Sequence, residues 1–208
     1  MKQNLKNLLP ANTTIFWLRR DLRLTDNAGL YHALKENKQV LPVFIFDTVI
    51  LDKLEDKNDR RVDFIHQSLK QIQHDLEARG SSLLVLHGDP ISIYSELDIT
   101  AVYTNHDYES YAKQRDERIW QILTKRNIPF KTFKDQVIFE KEEVLKEDGT
   151  PYTVFTPYSK KWKAKLNAFY MKSYPVEKYA NHFLPTKPFY FPSLEDIGFQ
   201  KTDAQFPE

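Results

Sequence analysis

Apolar residues follow two alternating rhythms along this chain. The stretch 13–18, Thr13-Thr14-Ile15-Phe16-Trp17-Leu18, is β-branched and aromatic with no polar alternation. That is the pattern of a strand buried on both faces. A second such stretch covers 40–46, with Pro42 near its start, and a third covers 83–86. Weaker ones lie at 101–103 and 129–133. Between them the period changes to three and four. Asp26-Asn27 can cap a helix reaching to about Glu36. Over 59–79, Val62, Ile65, Leu69, Ile72 and Leu76 make one face of a long amphipathic helix, and Gly80 follows where such a helix ends. Over 109–126, Tyr111, Ile119, Ile122 and Leu123 give a less regular stripe. Strand and helix in alternation predict an α/β fold: a Rossmann-like, doubly wound, five-stranded parallel sheet with helices on both faces.

Beyond residue 133 the rhythm is lost. Residues 140–147 predict a short charged helix, Asp148-Gly149 a turn and 159–172 a further helix. From 174 to 208 there are five prolines and no period, which predicts a linker or a strap laid over a surface. The expected division is a loose leader over 1–12, an α/β domain over 13–172 and an irregular linker over 173–208.

Composition removes several kinds of chemistry. Thirty Lys+Arg against 29 Asp+Glu leave a net charge of +1, which argues against a dedicated polycation for nucleic acid or membrane. With no cysteine there is no disulfide, no thiolate metal site and no cysteine nucleophile. The same absence fits a reducing compartment, so a cytoplasmic location is expected. No apolar run approaches the ~18 residues of a membrane span, so no membrane partner is expected, and a monomer is. Neither G-x-G-x-x-G nor G-x-x-x-x-G-K-[ST] occurs, and no serine stands in a G-x-S-x-G elbow. The six histidines show no metal spacing; His66 and His74, eight apart, read as surface positions on the flank of one helix.

Charged groups at strand C-termini remain, where open α/β sheets bind ligands. Asp47 ends the second strand after Phe44 and Phe46. Arg61 opens the long helix, and Asn105, Asp107 and Glu109 follow the fourth strand. Carboxylates and a carboxamide beside aromatics suit a planar heterocycle with N–H and amide edges. Alternatively, Asp47 and Glu109 cap the helices that follow them. The Arg19/Arg20/Arg23 cluster, with Asp21 and Asp26, reads as a phosphate site or, better, as a salt-bridged loop. Lys160, Lys161, Lys163, Lys165 and Lys172, interleaved with Tyr152, Phe155, Tyr158 and Trp162, read as a nucleic-acid contact or as a solvated helix face with an aromatic underside.

Several blocks carry a resemblance. They are Phe16-Trp17-Leu18-Arg19-Arg20-Asp21-Leu22-Arg23-Leu24-Thr25-Asp26-Asn27, then Val43-Phe44-Ile45-Phe46-Asp47 and Arg61-Val62-Asp63-Phe64-Ile65-His66-Gln67-Ser68-Leu69. Leu86-His87-Gly88-Asp89-Pro90, Val102-Tyr103-Thr104-Asn105-His106-Asp107-Tyr108-Glu109 and Gly149-Thr150-Pro151-Tyr152-Thr153-Val154-Phe155-Thr156-Pro157-Tyr158 follow in order. Over roughly 13–170 the chain resembles the photolyase/cryptochrome family, and its wording is nearest to the class I cyclobutane-pyrimidine-dimer photolyases. The resemblance implies an α/β domain that holds an antenna chromophore, either methenyltetrahydrofolate or a deazaflavin, with flavins in some members. It implies a partner as well: an all-helical domain that carries FAD and meets damaged DNA. Nothing in these 208 residues reads as that domain, so the chain alone is expected not to repair DNA. Glu109 with Asn105 matches the family position that meets the folate pteridine. Phe44, Asp47, Arg61 and Asp107 match positions lining the deazaflavin pocket. The same domain of a bacterial cryptochrome, a light-signalling protein, is the alternative. A nucleotide-binding module of universal-stress type is a more distant one.

Overall fold

Five strands form where the apolar stretches predict them. A computed structural model of the chain describes residues 5, 8–204 and 206, so much of the leader expected at 1–12 and the last two residues lie outside the described residues. The strands are β1 (Thr14–Leu18), β2 (Val40–Asp47), β3 (Leu84–Gly88), β4 (Ala101–Asn105) and β5 (Phe130–Phe133). They form one parallel sheet in the order β3-β2-β1-β4-β5. The helices are α1 (Ala28–Glu36), α2 (Thr48–Leu51), α3 (Arg60–Glu77), α4 (Pro90–Glu96), α5 (Ser110–Lys125) and α6 (Phe155–Lys165). Among the described residues no helix is long and apolar enough to cross a membrane.

Two cores sandwich the sheet, because parallel strands carry apolar side chains on both faces. On one face Phe16, Leu18, Phe44 and Phe46 pack against α1 and α3. On the other, Ile15, Trp17, Val43 and Ile45 pack against α4 and α5. Asn27 caps α1 by accepting from Leu30 N at 3.1 Å. Asp59 caps α3 through Arg61 N at 2.8 Å. Gly29 allows a close approach: a Cβ there would lie 2.7 Å from Asn105 Oδ1 and 3.0 Å from the Phe16 ring.

Three elements differ from expectation. The helix expected over 140–147 shrinks to a 3₁₀ turn, Lys141–Glu143. A capping box between Glu140 and Glu143 closes that single turn, and Lys141 at φ 41° cannot begin an α-helix. The helix expected over 159–172 begins earlier and ends at Lys165, since Pro157 fits a first helical turn and Leu166 is extended. A short helix, α4, was not expected, whereas α2 is the helix that Asp47 was read as capping. Asp89 caps α4 with bonds to Ile91 N and Ser92 N, and Pro90 occupies its first turn.

Residues 173–204 lie as a strap over α1 and α3. Val176, Phe183, Leu194, Ile197 and Phe199 are buried in the same core as those helices. Leu184 N donates to Val40 O at 2.8 Å, and Thr202 donates to Asp63 from N and Oγ1 at 2.9 and 2.6 Å. His66, expected on the surface, is only 3% exposed because the strap covers it; His74 is exposed as expected. His66 Nε2 lies 2.9 Å from Pro192 O, so the neutral ring donates to that carbonyl.

Burial pulls the His66 pKa below its ordinary 6.5; Lys70 adds to this, while the Pro192 bond, Asp63 and Glu195 oppose it. A base with a depressed folded pKa is protonated more readily in the unfolded chain. Its contribution is therefore present above about pH 6.5 and is lost as pH falls from there through the lowered folded value. Urea unfolding should show stability falling from pH 7 to 5. His66→Gln, which keeps a donor for Pro192 O, should flatten that slope. Equal slopes in the two proteins would assign the pH dependence elsewhere, with His32 and His87, also lowered by burial, the next groups to test.

Candidate functional site

The strand order reverses between β1 and β4. Connections leave in opposite directions there, so a crevice stays open at the carboxyl edge. It holds a cleft of about 490 Å³, within the range of small-molecule sites. Trp17, Leu18, Phe44, Phe46, Val62 and Ile65 make its apolar walls, while Asp47, Asp107, Glu109, Arg20 and Lys53 bring charge to it. A roomier groove of about 770 Å³ follows β3 at the sheet edge, lined by Asp89, Glu96 and Asp196. It lies off the switch point, and among the described residues no lysine or arginine lines it.

Four of the six expected site residues meet at the switch-point cleft: Phe44, Asp47, Asp107 and Glu109. Arg61 does not. Its guanidinium turns back on Asp59, with Nε and Nη2 at 3.0 and 2.5 Å, and is 74% exposed. Asn105 does not reach the cleft either. It lies beneath α1, where Nδ2 donates to Asp21 Oδ2 at 2.6 Å and Asn27 Oδ1 at 2.9 Å, and Oδ1 accepts from Gly29 N at 2.8 Å.

Asp47 caps the helix that follows it and also lines the cleft. Its Oδ1 accepts from Val49 N at 3.0 Å and caps α2. Its Oδ2 accepts the Tyr111 hydroxyl at 2.7 Å and faces Arg115 at 3.6 Å. Glu109 stands at the N-cap of α5 without a side-chain cap bond, and pairs with Arg20 at 3.1 Å in an exposed setting. The strand-one arginines form a salt-bridged loop, but with acids from outside that loop. Arg19 binds Asp116 at 2.6 Å and Arg23 binds Asp135 at 2.7 Å.

Tyr111, Arg115 and Lys53 are cleft residues that the sequence reading did not select. Tyr111 and Arg115 are one turn apart on α5, so both face the cleft. That i, i+4 spacing was the available signal; Arg115 reads as a surface charge until Asp47 and Asp116 are placed beside it. Lys53 comes from the end of α2, a helix with no sequence periodicity of its own. A charge-alternating chain results: Tyr111 to Asp47, Asp47 to Arg115, Arg115 to Asp116, Asp116 to Arg19. The Trp17 ring lies against it, with the guanidinium carbons of Arg115 and Arg19 at 4.7 and 5.0 Å from its centroid. Burial and the bond to Asp47 push the Tyr111 phenol well above its usual range, so it stays protonated at neutral pH. Among the described residues no group of acids and histidines could hold a metal ion.

The family model described as DNA photolyase matches residues 14–178. A deoxyribodipyrimidine photo-lyase of Synechococcus is 35% identical over 159 residues, which is 74% of this chain and 33% of the relative. Among solved structures, an archaeal photolyase from Sulfolobus tokodaii is 31% identical with a TM-score of 0.63, covering 74% of this chain and 36% of that one. A class III photolyase from Agrobacterium tumefaciens shares the fold over 97% of this chain and 41% of its own, with a TM-score of 0.74 at 24% identity. The chain thus spans about a third of the curated photolyase named here. The matched region runs from the first residue of β1 into the strap, and the chain belongs to the DNA photolyase family.

Proposed function

We propose that this chain is the antenna-binding α/β part of a photolyase, and that the switch-point cleft holds its light-absorbing chromophore. In the complete enzyme the excitation passes to FAD on an all-helical domain, which uses it to reverse pyrimidine dimers in DNA. One observation carries the reading: an apolar, aromatic cleft at the strand-order reversal, with a buried, hydrogen-bonded carboxylate, Asp47, at its edge.

The residues fit a flat heterocycle. Phe44, Phe46, Leu18 and Val62 offer apolar contact, Asp47 and Asp107 accept from ring N–H groups, and Lys53 and Arg20 suit an anionic tail. Three of the four deazaflavin-type positions, Phe44, Asp47 and Asp107, line the cleft. Of the two folate-type positions only Glu109 does, because Asn105 is spent on the α1 network. We therefore assign a three-ring chromophore, a deazaflavin or a flavin, ahead of a folate. The Sulfolobus tokodaii photolyase is described with two FAD molecules and with the implication of a novel light-harvesting cofactor, which supports a flavin as one such occupant.

An absorption titration tests this, offering methenyltetrahydrofolate, an 8-hydroxydeazaflavin and FMN separately. Saturable binding of a three-ring compound with a red-shifted band is expected. Binding of the folate alone would reverse the assignment of class. Binding of none, or binding indifferent to Asp47→Ala, would remove the cleft from consideration.

A further inference from the structure

Two aromatic side chains with accessible oxidation chemistry line the cleft, and their surroundings differ. Trp17 has two guanidiniums over its ring, at 4.7 and 5.0 Å. Loss of an electron from indole leaves a radical cation, and fixed positive charge at that distance opposes it. Tyr111 also has cations near its ring, Arg115 at 5.5 Å and Lys53 at 5.7 Å. Its hydroxyl, however, donates to Asp47 Oδ2 at 2.7 Å. A phenol that loses an electron while handing its proton to a bonded carboxylate avoids the high-energy phenol radical cation, which lowers the cost of oxidising Tyr111 even though the Tyr111–Asp47 pair gives up one negative charge beside Arg115. The acceptor is held in place: Asp47 is 7% exposed, and its other oxygen is fixed by Val49 N.

We propose that Tyr111 is the electron donor of the cleft toward a photo-oxidising three-ring chromophore, and that Asp47 takes its proton. This rests on the reading of the cleft as a chromophore site. On excitation one electron leaves the phenol and enters the bound ring. The phenolic proton moves to Asp47 Oδ2, giving a neutral phenoxyl radical and a neutral carboxylic acid. Return of the electron and the proton restores the starting state, so no other oxidant or reductant is consumed. The arrangement gives excitation a second way down, one that competes with energy transfer and drains what finds no acceptor.

FMN is the probe, because its isoalloxazine is a strong excited-state oxidant and lacks the adenine that quenches FAD internally. Binding is first measured by fluorescence anisotropy, and the lifetime of the bound dye is then read. A lifetime severalfold shorter than that of free FMN is expected, lengthened in D2O and recovered toward the free value in Tyr111→Phe. Asp47→Asn keeps an oxygen for the phenol but removes the base, and should also lengthen the lifetime and abolish the D2O effect. Recovery in Trp17→Phe instead of Tyr111→Phe, or a long lifetime in the unaltered protein, would overturn the donor assignment while leaving the chromophore site standing. An FMN anisotropy titration that never saturates would overturn the donor assignment, and the site reading with it when the deazaflavin and the folate also fail to bind.

Discussion

Asn105→Leu is expected to lower the unfolding free energy by about 3–5 kcal/mol, the size seen when a buried charged group loses a partner. The side chain is 1% exposed and joins β4 to the start of α1. Leucine would leave Asp21 Oδ2 with one donor fewer, Asn27 Oδ1 short of one of its two donors, and the Gly29 N–H with no acceptor. Burial already pushes the Asp21 carboxyl above its usual range, against the pull of Asn27, Arg19 N and Asn105. Removing Asn105 strengthens that push. Urea denaturation of the two proteins measures the difference. Glu109→Ala is the comparison, since its exposed pair with Arg20 should be worth no more than about 1 kcal/mol. Similar losses in both variants would show that the network beneath α1 is not what holds β4 to that helix.

Asp47→Ala carries the second large effect, and on two observables at once. It strips the Tyr111 hydroxyl and Val49 N of their acceptor and leaves Arg115, itself 6% exposed, with Asp116 alone. The expected loss of stability is about 2–4 kcal/mol, below that of a fully orphaned buried charge because Asp116 stays. Chromophore affinity should fall roughly 10- to 100-fold, the equivalent of one buried hydrogen bond to a charged group. Asp47→Asn should restore most of the stability and less of the affinity. Stability lost with affinity intact would make Asp47 a helix cap and nothing more.

The sheet was legible because β1, β2 and β4 lie between two helix layers and are buried throughout, whereas the edge strand β5, with Lys131 and Thr132 exposed, reads more weakly. The helices were legible in proportion to their length. The 18 residues of α3 show their stripe plainly, whereas the 7 of α4 hold barely two turns and announce themselves only through Asp89-Pro90. In the site, side-chain direction was the missing information. Arg61 adjoins Val62, which does line the cleft, but one residue on a helix is a turn of about 100°. Asn105 sits at the end of β4, yet faces α1 and is consumed there before any ligand arrives. Phe44, Asp47, Asp107 and Glu109 came through because a strand end fixes position without needing the phase of a helix.

The strand order also carries a kinetic meaning. Thr14 in β1 pairs with Val40, 26 residues away, on one side and with Ala101, 87 residues away, on the other. Closing the longer loop costs about 1 kcal/mol more in chain entropy. The β1–β2 pairing is therefore favoured to come first and the β1–β4 pairing to come late. The switch-point cleft exists only once that late pairing has closed, since Phe44 and Asp47 come from the early half and Asp107, Glu109 and Tyr111 from the other. A molecule seated there touches both halves and works as a clasp on the seam that closes last. Added chromophore should then slow amide exchange in β4 more than in β2, and ligand capture during refolding would report completion of the sheet.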